Sequence, residues 1–354
     1  MGEELQKEYR RINNKRRAIL LTLLFIDIAL IVICLCVGSA SLSISETLKG
    51  IFRMGEKKYS LIIWNIRMPR VIAAVIAGGG LAISGLIMQS VLKNPMASPS
   101  TLGVSNAATF GANFAIIVLG MGMMNSSSGT DLYINNPYLV ATTALLFAII
   151  SVALILLLSH LKRFSSETVV LAGLAVGAIF TAATTIIQYF ADSNQLATAV
   201  YWSFGNLSRA TYLEDLLMTI VVCGAFVFFM FNRINYDAMT AGIDAARTMG
   251  VNTRRVSILS LLFASLITAT CVSFLGIIGF IGLVAPHIIK RFIGDNHRFL
   301  IPATFLTGVG ILLIADTISR TIISGLSLPV GAITSLLGGP MFIYLLIRGK
   351  QKNA

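Results

Sequence analysis

Apolar residues gather into long unbroken runs along this chain, not into the alternation of a half-buried strand or the one-sided stripe of a surface helix. Ten such runs lie at 18–38, 69–90, 101–121, 138–158, 167–190, 213–231, 256–274, 276–292, 299–319 and 328–347. Most are near the length that crosses roughly 30 Å of hydrocarbon as a helix. They predict an all-α polytopic membrane bundle of about ten helices. The eighth run is short, glycine-rich and broken by Pro286. It is expected to be bent or partly re-entrant, its freed backbone lying against protein or a water-filled cavity. Small residues recur at spacing four, as Ala74, Gly78 and Ala82 in the second run and Gly331, Ser335 and Gly339 in the tenth. Such stripes let helix backbones approach closely in lipid. The expected organisation is a basic segment 1–17, one membrane domain over 18–348 and a short tail 349–354.

Charge adds an orientation. The chain has 354 residues, 56% hydrophobic and 12% charged, with a net charge of +12. A basic total raises the question of nucleic acid, but the Lys and Arg sit in short segments between apolar runs, without aromatic interleaving. With ten spans both termini share a side, and that side holds 19 of the 27 Lys and Arg, Lys162 and Arg163 among them. The positive-inside rule therefore puts both termini in the cytoplasm. Six of the remaining eight are Lys49, Arg53, Lys57, Lys58, Arg67 and Arg70. They read either as headgroup contacts or as an outward patch for a partner or ligand. The first run follows a basic stretch and is followed by Gly38-Ser39-Ala40, a little like a signal-peptide cleavage site. It is longer than a 7–15-residue signal core, so it reads as a retained span.

Little catalytic chemistry is present. Cys34, Cys36, Cys223 and Cys271 lie inside apolar runs without CxxC spacing and read as small buried residues. There is no GxxxxGK[ST] phosphate loop, since Gly349-Lys350 lacks the upstream glycine and the following hydroxyl. His160, His287 and His297 fall near span ends and read as interfacial histidines. No enzyme active site, cofactor or metal site is expected. Of the intramembrane acids, Asp27 is central in the first span, and Asp316 is expected to pair with Arg320 four residues on. So few acids give thin support to an ion-driven secondary transporter, one alternative function. A non-transporting scaffold or receptor is another.

Three groups of residues go beyond composition. Arg67-Met-Pro-Arg70 precedes a glycine-rich span ending in Gly85-Leu-Ile-Met-Gln89, then Asn94-Pro-Met-Ala97-Ser-Pro99 and Leu102-Gly103. Met249-Gly250-Val251 is followed by Arg254-Arg255. Gly279-Phe-Ile-Gly-Leu-Val-Ala-Pro286-His287 leads to Lys290-Arg291, Asp316 to Arg320, Leu328-Pro-Val-Gly331 and Gly338-Gly-Pro340. In this order, from about 42 to 348, the set resembles the iron-siderophore and vitamin B12 permease family, the FecCD-type membrane subunits of ABC importers. Ser98, Ala107 and Met249 depart mildly, standing where the family often has Asp, Gly and Leu.

The resemblance implies a ten-helix permease of the type II importer kind. It implies a second permease subunit, as homodimer or heterodimer, around a central pathway. Two ATP-binding-cassette ATPase subunits would bind below, which accounts for the missing phosphate loop. An extracytoplasmic substrate-binding protein would dock above. The implied cargo is a ferric siderophore, with haem or cobalamin as alternatives. A coupling segment at about 232–255 would meet the ATPase through Ala246, Met249, Gly250, Val251, Arg254 and Arg255; a plain solvated loop is the competing reading. Gln89, Asn94, Pro95, Pro286 and His287 become candidates for an inner gate, a structural turn being nearly as good an account of the first three. Arg67, Arg70 and Arg320 would receive acidic residues of the binding protein, guanidinium pairing with carboxylate through two hydrogen bonds. Headgroups, or Asp316 for Arg320, compete for them. Tyr201-Trp202 and Gly205 match a family pattern to which no role is attached.

Overall fold

Hydrocarbon offers no partner to a backbone N–H or C=O, and a helix closes both internally. The computed structural model is accordingly helical almost throughout. It describes residues 2–38, 42–54, 56–124, 132–161, 166–323 and 327–350. Ser39 and Ala40, Lys162 and Arg163, and tail residues 351–354 lie outside the described residues.

Helix α1 (Gly2–Cys36) runs unbroken through the basic segment and the first apolar run. Two short helices, α2 (Ile44–Ile51) and α3 (Lys57–Ile62), lead through a π-helical turn (Ile63–Arg67) into α4 (Met68–Leu92). Then comes α5 (Val104–Asn113), a second π-helical turn (Phe114–Val118), and a hairpin of β1 (Gly122–Met124) and β2 (Leu132–Ile134). The hairpin is antiparallel, with Met123 opposite Tyr133. The remainder is α6 (Pro137–Leu161), α7 (Ser166–Tyr189), α8 (Ser193–Ser203), α9 (Tyr212–Phe231), α10 (Arg233–Ala241), α11 (Ile243–Thr248), α12 (Thr253–Leu275), α13 (Ile281–Ile293), α14 (His297–Thr321) and α15 (Val330–Lys350).

Among the described residues, seven helices are long and apolar enough to cross a membrane. The third and tenth runs carry shorter apolar helices, Val104–Val118 and Val330–Met341. The eighth run is interrupted as expected, though ahead of Pro286. Residues 276–280 are not helical, and α13 begins only at Ile281. Hydropathy also passed over α2, α3, α8 and the hairpin. Two of these short helices carry local start signals: capping boxes Ser43 with Glu46 and Asp192 with Gln195.

The bundle has two ends. One carries the start of α1 together with α10 and α11; the other carries α2, α3 and α8. Helix α4 is the buried axis, packed against α14, α12, α13 and α9. The small-residue stripe makes this possible. A Cβ added at Gly78 would stand 2.6 Å from the Gly308 carbonyl oxygen of α14. One added at Gly85 would collide with the Gly282 carbonyl of α13. In the tenth run the contact falls at Gly331, against the Ile277 carbonyl, and at Gly338, against Phe280. Gly339, expected in that stripe, has nothing within 4 Å of an added Cβ. Beside the axis, Phe110, Phe114, Phe147 and Phe180 form a cluster that joins α5, α6 and α7.

Gly85→Val is expected to separate α4 from α13 and cost at least about 1–3 kcal/mol. Gly339→Val should be nearly neutral. Thermal unfolding of the two purified variants in detergent checks this, and equal midpoints would contradict the packing.

Candidate functional site

At the α10–α11 end, two glycines fold the segment 232–255. Gly242 has φ of 140° and Gly250 of 83°, a region that side-chain-bearing residues rarely adopt. They turn the chain between α10, α11 and α12 within a few residues. Tyr236, Met239 and Ala246 are buried beneath. Arg247, Thr248, Met249, Gly250, Arg254 and Arg255 are exposed, and Met249 is 66% exposed. Val251 is half-buried, its N–H bonded to the Ala246 carbonyl at 3.0 Å. The result is an apolar tip rimmed by arginines. An added Cβ at Gly250 would meet nothing within 4 Å, so within this chain the glycine serves its turn and not a close contact.

This knuckle is tied to the bundle by polar side chains. Asp237 Oδ1 accepts from the His297 backbone N–H at 2.8 Å and lies 2.7 Å from His297 Nδ1. His297 Nε2 lies 2.9 Å from Ser90 Oγ at the end of α4. Tyr236 Oη lies 2.8 Å from Ser260 Oγ of α12. Helix α10 is thus fixed to α14, α4 and α12 at once. The Ser–His–Asp series is a strut and no nucleophile. Ser90 is buried, and its hydroxyl donates to the Leu86 carbonyl of its own helix at 2.9 Å. Sequence reasoning missed this link because Asp237 and His297 are 60 residues apart. The one available signal was Asn296, which caps α14 and sets His297 in its first turn.

Gln89 and Pro286 turn out to be connected. Proline has no N–H, so the carbonyl four residues earlier loses its helical donor. That carbonyl is Gly282, and Gln89 Nε2 donates to it at 3.2 Å. His287 is half-buried, with Nδ1 2.8 Å from the Leu283 carbonyl. Asn94 and Pro95 form the turn after α4: Asn94 Oδ1 accepts from the Met96 N–H at 2.9 Å, and Pro95 is exposed. Ser98 closes the turn that follows, its hydroxyl accepting from the Thr101 N–H at 3.2 Å.

At the other end, the three arginines are not free contact points in this chain. Arg67 is 4% and Arg70 7% exposed, and the Arg320 side chain is 9% exposed. Arg70 Nε lies 2.7 Å from Asp316 Oδ1, and Arg320 Nε 3.0 Å from Oδ2. The expected Asp316–Arg320 pair is present, and Arg70 joins it from α4. Arg67 donates to the Leu35 and Cys36 carbonyls, and Arg320 to Val37 at 2.9 Å. The last carbonyls of a helix lack intrahelical donors and carry partial negative charge. Two guanidinium groups satisfy them at the end of α1. The exposed cations of this end are Lys49, Arg53, Lys57 and Lys58.

The segment 276–280 is held by backbone. Ile277 forms an isolated parallel bridge with Phe204, and its carbonyl lies against Gly205 and Gly331, where no Cβ would fit. Arg209 caps α8, donating to the Trp202 and Tyr201 carbonyls at 2.8 and 2.7 Å. The aromatic-glycine pattern thus supports the non-helical segment. A cavity of about 280 Å³ lies beside it, lined in part by Tyr138, Tyr201, Trp202, Arg209 and Glu214. Asp27 is buried against Gly310 of α14. Asp215, which the sequence reading passed over, is 3% exposed, and neither of its carboxylate oxygens has a partner among the described residues.

A packed bundle with an exposed apolar knuckle at one end invites comparison with transport subunits. Residues 23–348 match the FecCD transport family. The chain belongs to that family. It is 32% identical to the hemin transport system permease protein HmuU of Yersinia pestis, over 92% of this chain and 95% of that one. It is 31% identical to the Fe(3+)-citrate import system permease protein YfmE of Bacillus subtilis, over 95% and 98%. A solved chain from an ABC transporter described as metal-chelate type, in an inward-facing conformation, superposes with a TM-score of 0.79. It is 25% identical, over 94% of this chain and 99% of that one. The chain is therefore a multi-pass ABC importer permease, and an ion-driven carrier is not favoured.

Asp316→Ala would leave Arg70 and Arg320 buried without their carboxylate. A loss of about 3–5 kcal/mol is expected, read as a lowered unfolding midpoint of the purified permease. A wild-type midpoint would show that the two arginines do not depend on Asp316.

Proposed function

We propose that this permease carries a ferric siderophore or related iron chelate across the cell membrane into the cytoplasm, driven by ATPase subunits on separate chains. The observation that carries the reading is the exposed Met249–Gly250 tip between Arg247 and Arg254-Arg255, mounted on α4, α12 and α14 through Asp237, His297 and Tyr236. A partner that pushed this tip would push the bundle with it. Relatives named for hemin and ferric citrate support an iron-containing cargo. Others named for vitamin B12 keep cobalamin as a second reading. The excess of Lys and Arg at the α10–α11 end supports a cytoplasmic position for that end and for both termini.

The remaining assignments follow the same frame. The two ATPase subunits take the knuckle, with Ala246 and Val251 beneath it as its support. A second permease, identical or paralogous, completes the pathway, with α7 offering an uncovered face that includes Ala175, Ala178 and Ala182. The inner gate is assigned to the α4–α13 crossing at Gln89, Pro286 and His287, with Asn94 and Pro95 forming the turn that ends it. An extracytoplasmic binding protein docks at the α2–α3 end, where Lys49, Arg53, Lys57 and Lys58 are exposed. Arg67, Arg70 and Arg320 shape that surface from below and take a direct part only where docking opens it.

Two outcomes test this function. The purified chain alone should hydrolyse no ATP, and uptake into vesicles should require an added ATPase subunit. Arg254→Glu with Arg255→Glu, or Gly250→Trp, should cut chelate uptake at least about tenfold while leaving insertion intact, because packed charged contacts tolerate neither reversal nor bulk. Wild-type uptake by these variants would remove the knuckle from coupling. For docking, Lys57→Glu with Lys58→Glu should weaken capture of the loaded binding protein, the difference shrinking as salt rises above about 0.1 M. Unchanged capture at low salt would reject the assignment.

A further inference from the structure

Helix α1 presents the same side to its surroundings at two heights. Steps of seven residues return to nearly the same face of a helix, drifting about 20° each. Such steps relate Lys7 to Leu21 and Ile28, Arg10 to Arg17 and Leu24, and Arg11 to Phe25 and Val32. All of these are exposed. Phe25 is 74% and Leu21 67% exposed in a helix flanked by other spans, so this is the side of α1 that meets lipid tails. The opposite side belongs to the bundle: Arg16 Nε donates to the Ile293 carbonyl at 2.9 Å, and Asp27 and Cys34 are buried. The helix does not break between the basic and apolar stretches. Lys7, Arg10, Arg11 and Arg17 therefore stand directly below the lipid-facing apolar stripe, and Lys15 lies at its margin.

From Arg17 to Arg10 the helix rises roughly 10 Å, comparable to the depth of a headgroup layer. Of the acids in this segment, Glu3 and Glu4 lie beyond Lys7 at the helix start, and Glu8, seven residues before Lys15, lies at the margin of the stripe. We propose that this stripe is a binding surface for the phosphate groups of anionic lipids in the leaflet at the α10–α11 end, and that α1 thereby anchors the permease to charged lipid. The observation that favours lipid over a protein partner is the continuity of the stripe with the tail-facing side. A partner seated beneath the bundle would meet the Arg16 side instead. Clusters of four to eight basic residues beside a span attract anionic lipid in this way.

The test uses the full chain purified in detergent, probed with phosphatidylglycerol and, as neutral control, phosphatidylcholine. Lipid retention is read by native mass spectrometry. Phosphatidylglycerol should be retained in preference and lost at high salt. Arg10→Glu, Arg11→Glu and Arg17→Glu together should weaken retention at least about tenfold. The same charge change at the other end, Lys49→Glu with Lys57→Glu and Lys58→Glu, should not. Should the triple reversal insert poorly, Arg10→Gln with Arg11→Gln keeps Lys7, Lys15, Arg16 and Arg17 and should show a smaller loss. The proposal is overturned if retention survives both sets, if the two ends lose it equally, or if the α1 variants lose an added ATPase subunit while keeping lipid.

Discussion

The bundle depends on how closely α4 approaches its neighbours. Lipid tails are as apolar as leucine, so burying apolar surface gives membrane helices no drive to associate. What remains is short-range packing and polar pairing, and both require backbones to come near. Gly78 meets Gly308 on α14, and Gly85 meets Gly282 on α13. These crossings set the register of everything else on α4. Arg70 comes opposite Asp316, Ser84 donates to the Ala264 carbonyl at 2.6 Å, Gln89 reaches Gly282, and Ser90 reaches His297. Side chains of this size along one helix would miss their partners if the glycine contacts widened.

At three breaks in helical geometry the freed backbone groups are met by protein. Pro286 leaves the Gly282 carbonyl, and Gln89 answers it. The end of α1 leaves carbonyls that Arg67 and Arg320 take up. The strand-like residues after α12 lie on the Phe204–Gly205 backbone, and Arg209 closes the end of α8 above them. Arginine recurs because a guanidinium offers five donors in a planar fork and remains charged when buried.

The two ends of the molecule are built for different contacts. At the α10–α11 end, exposed arginines and Met249 stand on a short helix pair fixed to three spans. At the α2–α3 end, Arg67, Arg70 and Arg320 are spent on Asp316 and helix carbonyls, and exposed Lys49, Arg53, Lys57 and Lys58 lie on or between α2 and α3. The one end is tied to three spans through α10, and the other is closed by buried arginines on Asp316 and the end of α1.

Much of this was legible in the chain. Long apolar runs dictate spanning helices because no other open structure closes its backbone in lipid, and the basic segments carry their orientation preference with them. Ala74, Gly78 and Ala82 announced close packing, Asp316 and Arg320 announced each other at helical spacing, and the motif order announced the family. Tertiary structure decided what spacing cannot express. That Arg70 shares Asp316, that Gln89 repairs the break at Pro286, and that Asp237 binds His297 are meetings of residues 60 to 246 positions apart. The start of α13 at Ile281 was likewise decided in three dimensions, where 276–280 packs as a non-helical segment on the backbones of Gly205 and Gly331 and ends at a left-handed Phe280. Hydropathy reports which segments leave water, whereas polar pairing inside the bundle depends on distances that arise only once the helices have crossed.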